Sequence, residues 1–312
     1  MNMKKNFRYL SNDGKTNIHC ALWMPKTKEF TGILQISHGM VEYIERYSTF
    51  AEYLNQRGFI VVGHDHLGHG KSVISESHWG YFAEKSADEI LIRDMHKMRI
   101  LMQKRYPDVP YFMLGHSMGS FLLRKYLTRY PNGLRGAIIM GTGVKNNLEL
   151  RTAMSLCSSM AVLKGWNYRS ALLQKMVFSS NNKKFEDENN TNSWLTRDQK
   201  IVEDYTADPR CSFVFTLNGF HTLFSVIYHG NRKKNIQKLP IELPMLLISG
   251  EDDPIGAYGV GIKKLYHLYR RAGITDITYR LYKEGRHEIL NELDKETVFS
   301  DIYKWLAKRI GL

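Results

Sequence analysis

The sequence predicts an α/β fold: a mostly parallel central sheet with helices on both faces, and one inserted helical segment. Short apolar runs alternate with amphipathic helical patterns along most of the 312 residues, which is typical of a parallel sheet covered by helices. The run 59–63 is continuously hydrophobic, as expected of a strand buried on both faces. The alternation stops after Gly143 and resumes near Pro240. We therefore predict a core of residues 1–143 and 240–312 and a helical cap of residues 144–239.

The predicted elements begin with a hairpin, in which Asn12-Asp13-Gly14 turns between the first two strands. Ser86 is expected to start the long second helix in a capping box with Glu89. In chain order the predicted strands cover residues 7–10, 18–23, 32–37, 59–63, 111–114, 135–140, 244–250 and 277–282. The predicted core helices cover residues 46–55, 86–106, 121–130, 258–271 and about 294–310. In the cap, helical patterns cover residues 148–163, 169–178, 193–206 and 213–229.

Between the fifth strand and its following helix lies the turn Gly115-His116-Ser117-Met118-Gly119. A G-x-S-x-G turn in this strand–turn–helix context forms a nucleophile elbow, in which a strained backbone exposes the serine hydroxyl. The two glycines are small because strand and helix pass each other closely there. The helix N-terminus beneath the turn favours developing negative charge. Ser117 is therefore the predicted nucleophile.

A serine hydroxyl needs a histidine base, and that histidine needs a carboxylate to fix its tautomer. On a fold of this kind the acid and then the histidine follow the serine, each after a later strand. Three acids follow the seventh strand: Glu251, Asp252 and Asp253. We choose Asp253 because the next residue, a proline, biases its backbone to an extended conformation. His287 lies in the loop after the last strand and is the predicted base.

Two backbone N–H groups are predicted to form an oxyanion hole, which stabilises the negative charge of a tetrahedral intermediate. One is the N–H of Met118, directly after the nucleophile, and the other is the N–H of Met40, in the loop after the third strand. His116 is expected to point away from Ser117, because side chains alternate along a strand. Four methionines are candidates for an acyl pocket, although core packing explains them equally well: Met118, Met154, Met160 and Met176.

His64, Asp65, His66 and His69 look superficially like a metal cluster, but their spacing matches no ligand pattern. The predicted chemistry requires neither a metal ion nor an organic cofactor.

The chain resembles the α/β-hydrolase superfamily and, within it, the branch of monoacylglycerol lipases and lysophospholipases, over nearly its whole length. Family members often carry Gly and His where this chain has Val41 and Tyr43. The resemblance implies hydrolysis of a monoacyl lipid, a monoglyceride or a lysophospholipid, with its acyl chain under the cap. The stretches that carry it are 38–47 for H-G-x-x-E-x-x-x-R-Y, 65–72 for D-x-x-G-x-G-x-S, 115–119 for G-H-S-M-G, 250–253 for G-x-x-D, and the histidine loop 284–287.

Charge and cysteine content narrow the choice of partner and compartment. The net charge is +13, from 44 basic and 31 acidic residues, but no nucleic-acid recognition motif accompanies it. Loose attraction to an anionic membrane surface or to anionic substrates is compatible with this charge. Three scattered cysteines suit a reducing cytoplasm. We find no apolar run of membrane-spanning length and no signal-peptide pattern, and the sequence says nothing about oligomeric state.

Three alternatives stay within the same fold: a small-ester carboxylesterase, a thioesterase and an aminopeptidase. An aminopeptidase needs acids in the cap to hold a free amine, and Glu186, Asp187 and Glu188 are the candidates, although such a polar run is usually a solvated surface. A fourth alternative, a hydrolase-derived binding protein with a silent site, is disfavoured because the serine, the acid and the histidine are all present.

Overall fold

The computed structural model describes residues 3–27, 29–188 and 190–312. It contains one eight-stranded sheet, which confirms the predicted α/β fold. The strands are β1 (Met3–Leu10), β2 (Asn17–Met24), β3 (Gly32–Ser37), β4 (Phe59–His64), β5 (Tyr111–His116), β6 (Gly136–Met140), β7 (Met245–Gly250) and β8 (Ile277–Tyr282). They are ordered β1-β2-β4-β3-β5-β6-β7-β8. β2 is antiparallel to β1 and β4, and every later neighbour pair is parallel.

Helices cover both faces of the sheet and also fill the long connection from β6 to β7. They are α1 (Ser48–Asn55), α2 (Ala87–Arg105), α3 (Met118–Tyr126), α4 (Asn147–Lys164), α5 (Ala171–Phe178), α6 (Gln199–Ala207), α7 (Leu217–Asn231), α8 (Lys233–Ile236), α9 (Val260–Arg271) and α10 (Lys295–Lys308). Because side chains alternate along a strand, neighbouring residues of β3 enter different cores. Leu34 belongs to the buried cluster that includes residues of α1 and α10, whereas Ile33 belongs to the cluster that includes residues of α2, α3 and α9.

We refer to residues 144–239 as the cap segment. Within it α4 packs along α7, and α7 packs on α3, the helix that follows the elbow. Across residues 3–27, 29–188 and 190–312, none of the helices combines the length and the apolar character that crossing a bilayer requires.

Two local predictions are wrong. Ser86 does not cap α2, because its φ of +51° is left-handed and its side chain makes no capping bond, whereas a capping serine has an extended backbone. The predicted helix over residues 193–206 is divided into a 3-10 turn, Ser193–Leu195, and α6. The helix is interrupted because the carbonyls of Trp194 and Leu195 accept hydrogen bonds from the N–H groups of His287 and Glu288.

Candidate active site

Ser117 occupies the sharp turn between β5 and α3 with φ of +50° and ψ of −119°. Such a conformation costs about 1–3 kcal/mol and persists only where its surroundings enforce it. Here the Ser117 N–H donates to the Met140 carbonyl at 3.0 Å, and its carbonyl accepts from the Ser120 N–H at 2.9 Å. Gly119 allows α3 to begin against β3, since a Cβ at this position would lie 2.0 Å from the Ser37 carbonyl oxygen. The elbow is therefore enforced mainly by its immediate neighbours in the sheet.

The structure brings Asp253 and His287 together, with the Asp253 Oδ1 atom 2.9 Å from the His287 Nδ1 atom. Asp253 is fully buried, and it also accepts hydrogen bonds from the Ser249 hydroxyl at 2.7 Å and the Ile255 N–H at 2.8 Å. Burial alone would raise the pKa of Asp253, but His287 and these donors outweigh burial and lower it. A charged Asp253 favours the tautomer with a proton on Nδ1, which leaves the His287 Nε2 atom available as a base.

The other two candidate acids after β7 do not approach the histidine in this way. Asp252 forms a salt bridge with Lys184 of the cap segment, and Glu251 is exposed.

Ser117 and His287 open into the same cavity, which has a volume of about 970 Å³ and lies between the sheet and the cap segment. The Trp194 ring lies 5.0 Å from the His287 ring, a contact that no sequence signal indicated. Met118 and Met176 line this cavity, whereas Met154 and Met160 pack against the core. Apolar side chains from α3, α4, α5 and α7 form much of the wall: Phe121, Leu150, Ala153, Leu173, Val177, Phe178, Leu223, Phe224 and Ile227.

The loop from His38 to Tyr47, the oxyanion loop, lies directly against the elbow. A Cβ on Gly39 would come within 3.1 Å of the Ser117 Cβ atom. The N–H of Gly39 donates to the Glu42 carboxylate, so it is occupied. In the described part of the chain, no atom accepts a hydrogen bond from the N–H of Met40 or of Met118. Both residues line the cavity beside Ser117, as a pair of oxyanion donors requires.

Glu42 is a buried carboxylate whose role was not evident from its position in the motif. Besides the Gly39 N–H, it accepts from the Tyr47 hydroxyl at 2.9 Å and lies 3.1 Å from the Nδ1 atom of His116. The other ring nitrogen of His116 lies 3.2 Å from the His287 carbonyl oxygen. Burial lowers the pKa of His116, but the hydrogen bond and charge of Glu42 outweigh burial and raise it. His116 thus links the oxyanion loop to the histidine loop.

An arginine makes a second link between these two loops. Arg46 binds Glu288 through two hydrogen bonds of 2.6 and 2.7 Å, and it also contacts Glu42 at 3.1 Å. Because paired donors and acceptors with this planar geometry are specific as well as strong, the residue after His287 is held firmly to the oxyanion loop.

Val41 and Tyr43, the two departures from the family pattern, both contact the cap segment. Val41 has φ of +56°, a left-handed conformation that glycine adopts freely and a β-branched residue disfavours. Its carbonyl accepts a hydrogen bond from the Tyr205 hydroxyl at 3.0 Å. The Tyr43 hydroxyl donates to Asp208 at 2.9 Å, and Arg210 stacks over the Tyr43 ring. The unusual residues of the oxyanion loop are therefore held by residues about 160 positions away.

Asp65 supports the oxyanion loop from below by accepting hydrogen bonds from the N–H groups of Ile44 and Lys71, both at 2.8 Å. The neighbouring imidazoles pack on each other, with the rings of His38 and His66 4.4 Å apart. Among the residues described, no three His, Cys, Asp or Glu side chains are grouped to hold a metal ion.

The sheet, the elbow after β5, and the acid and histidine after β7 and β8 are the arrangement of an α/β-hydrolase. The chain belongs to the serine aminopeptidase S33 family, whose sequence profile matches residues 28–294. It is 26% identical to a human protein named monoglyceride lipase, over 96% of this chain and 90% of that protein. Its fold superposes on a carboxyl esterase from Bacillus coagulans with a TM-score of 0.88 at 27% identity, covering 97% of this chain and 99% of the esterase. A monoglyceride lipase from Saccharomyces cerevisiae shares the fold, with a TM-score of 0.74 at 20% identity over 98% of this chain and 94% of the other.

Proposed function

We propose that this protein is a serine ester hydrolase in which Ser117 is the nucleophile, His287 the general base and Asp253 the residue that orients His287. The observation that best supports this proposal is that Ser117 and a histidine bound to a buried carboxylate line one largely apolar cavity. Ser117 attacks the ester carbonyl as its proton passes to the Nε2 atom of His287. The N–H groups of Met40 and Met118 stabilise the oxyanion. His287 then protonates the departing alcohol, and water hydrolyses the acyl-enzyme by the reverse sequence of proton transfers.

The proposed substrate is a monoacyl lipid, a monoglyceride or a lysophospholipid, whose acyl chain lies under residues 144–239. The cavity is at the upper end of the size range of small-molecule sites, and its wall is rich in apolar side chains. Names of relatives, such as the human monoglyceride lipase, support this substrate class.

The aminopeptidase alternative requires cap acids free to hold an amine. Glu188 instead forms a salt bridge with Arg286, while the side chains of Glu186 and Asp187 lie outside the described residues.

The assignment is tested by comparing wild type with Ser117→Ala on p-nitrophenyl esters of rising acyl length, monoglycerides, lysophospholipids and aminoacyl substrates. We expect the variant to lose both ester hydrolysis and labelling by a fluorophosphonate probe, which reacts with activated serines. Labelling that survives in Ser117→Ala would overturn the nucleophile assignment. A preference of the wild type for acetyl or aminoacyl groups would reject the lipid class while leaving the triad intact.

We also propose loose association with an anionic membrane surface through the outer face of α4 and α5. Val162 and Leu163 are 85% and 83% exposed at the end of α4, and Leu172 and Met176 are exposed on α5. Exposed Lys164 lies beside them, which favours anionic headgroups. Met176 also lines the cavity.

The test is sedimentation with vesicles of phosphatidylglycerol or of phosphatidylcholine alone. We expect binding to the former and its loss in Val162→Ser/Leu163→Ser; equal binding by both forms would contradict the proposal.

For compartment, we propose the cytoplasm, a choice supported by three buried free thiols: Cys20, Cys157 and Cys211.

A further inference from the structure

One residue of the oxyanion loop has a backbone conformation that its own side chain opposes. Val41, directly after the proposed oxyanion donor Met40, has φ of +56° and is buried. A β-branched residue is strained in the left-handed region, so it adopts this conformation only where other contacts enforce it. Something other than residue 41 itself must therefore hold the loop in this shape.

A hydrogen bond from the cap segment reaches the carbonyl of Val41. Tyr205, on α6, donates its hydroxyl hydrogen to the Val41 carbonyl at 3.0 Å. Arg46 lies 4.8 Å above the Tyr205 ring and helps to fix it. Burial raises the pKa of Tyr205 well above its ordinary value, so the hydroxyl keeps the proton that it donates.

Met40 lies between two anchored peptide groups. On one side the Gly39 N–H is bound to the Glu42 carboxylate, and on the other the Val41 carbonyl is bound to Tyr205. If the second anchor is lost, Val41 keeps only the restraints on its neighbours in the loop, and its strained conformation favours rotation towards a negative φ. Such a rotation turns the preceding peptide groups relative to Ser117, and with them the N–H of Met40.

We propose that Tyr205 is a positioning residue for the oxyanion hole: its hydrogen bond holds Val41 in the left-handed conformation and thereby aims the Met40 N–H at the reacting carbonyl. The proposal rests on the function proposed above. It makes the hole depend on the cap segment being docked on the oxyanion loop.

The proposal makes the effect of Tyr205 depend on the residue at position 41. Glycine has no Cβ and adopts positive φ as readily as negative φ, so a glycine at position 41 needs no such support. Removing the Tyr205 hydroxyl is then expected to be harmful with valine at position 41 and nearly harmless with glycine there. A purely structural or substrate-binding role for Tyr205 predicts no such rescue.

The experiment compares wild type, Tyr205→Phe, Val41→Gly and Val41→Gly/Tyr205→Phe on a soluble short-chain ester, well below the lowest melting temperature of the four. We expect Tyr205→Phe to lower kcat roughly tenfold, the effect of about one lost hydrogen bond, with KM changed less than about twofold. The double variant is expected within about twofold of Val41→Gly. The Ki of a trifluoromethyl ketone, which forms a tetrahedral adduct, should rise in Tyr205→Phe as kcat/KM falls.

Tyr43→Phe is the matched control, because it removes one tyrosine hydroxyl between the same loop and Asp208 of the cap segment without touching the Val41 carbonyl. Its effect should be the same with valine or glycine at position 41.

Equal losses on Tyr205→Phe in both backgrounds would overturn the proposal, because a purely structural or a substrate-binding role for Tyr205 predicts this result. If Tyr205→Phe does not fold alone, the two glycine-41 forms are compared, and unequal kcat values contradict the proposal. If Tyr205→Phe is fully active and Ser117→Ala is inactive, only the positioning role is rejected. If Ser117→Ala is active, the proposed serine ester hydrolase function is rejected as well.

Discussion

Two residues beside the reaction centre have positive φ, and they are supported in opposite ways. Ser117 is held by the strands and helix on either side of it, through Met140, Ser120 and the close passage of Gly119 along β3. Val41 is held by Tyr205, which lies 164 positions away in the chain. One strained turn is thus a product of local sequence and sheet formation, while the other depends on the docking of a distant segment.

The difference explains which parts of the site are evident in the sequence. A turn that joins a strand directly to a helix leaves a local pattern, although β3 and β6 also support it, and G-x-S-x-G between a strand and a helix is such a pattern. A loop held from a distance leaves no such pattern, and here its support is a hydrogen bond between Tyr205 and the Val41 carbonyl. The comparison is tested by perturbing each kind of support separately.

The largest effect is expected at Asp253, which reaches His287 across 34 positions. Asp253→Asn keeps the shape of the side chain but removes its charge and can favour the wrong tautomer of His287. We expect kcat to fall by roughly 10⁴, as for the corresponding acid of serine proteases. Asp252→Asn is the matched control, because Asp252 is engaged with Lys184, and its kcat should stay within a few-fold of wild type. A larger loss in Asp252→Asn would show that the choice of acid is wrong.

The positions of the acid and the histidine could also be predicted from the sequence, because both residues follow late strands of the sheet. What sequence patterns could not supply were contacts between loops far apart in the chain. The link from Arg46 to Glu288 and the contact of the Trp194 ring with the His287 ring join segments with no shared local pattern. The predicted helix over residues 193–206 is wrong for the same reason: the carbonyls of Trp194 and Leu195 accept hydrogen bonds from N–H groups of the histidine loop, not from later N–H groups of the same helix.

The next effect contrasts a glycine of the elbow with one of the oxyanion loop. In Gly119→Ala the new Cβ meets the backbone oxygen of Ser37 at 2.0 Å, so strand or helix must move. We expect a loss of about 3 kcal/mol in the free energy of unfolding, with activity lost alongside. In Gly39→Ala the Cβ meets the Glu42 carboxylate, the end of a side chain and not a backbone atom, so it can shift at the cost of its hydrogen bonds in the loop. We expect Gly39→Ala to lose about 1 kcal/mol in the free energy of unfolding. Its kcat should fall by more than this loss of stability explains, because Glu42 anchors the loop.

Urea unfolding and steady-state kinetics on the same samples separate the two outcomes. Equal stability losses in both variants would mean that the oxyanion loop is as rigidly packed as the elbow, contrary to the comparison.

The last prediction concerns the loss of stability in acid. It is expected from four buried histidines whose rings contact each other next to the oxyanion loop: His38, His64, His66 and His69. Burial lowers the pKa of His64 to about 3 and that of His69 to about 3. Between pH 6.5, the ordinary value, and about pH 3, the unfolded chain therefore binds protons that the folded protein excludes. Stability is unaffected above pH 6.5 and is lost as the pH falls through this window. Each histidine should contribute about 1–2 kcal/mol of loss between pH 7 and pH 5.

His64→Phe tests this directly, because neither ring nitrogen of His64 makes a hydrogen bond to any residue in the described ranges. The phenyl ring keeps the apolar packing against Tyr9 and His66 and cannot take up a proton. We expect the difference in unfolding free energy between pH 7 and pH 5 to shrink by about 1 kcal/mol or more relative to wild type. His267→Phe, at an exposed position on α9, is the control and should leave that difference unchanged. An unaltered pH dependence in His64→Phe would mean that acid acts elsewhere than on this cluster.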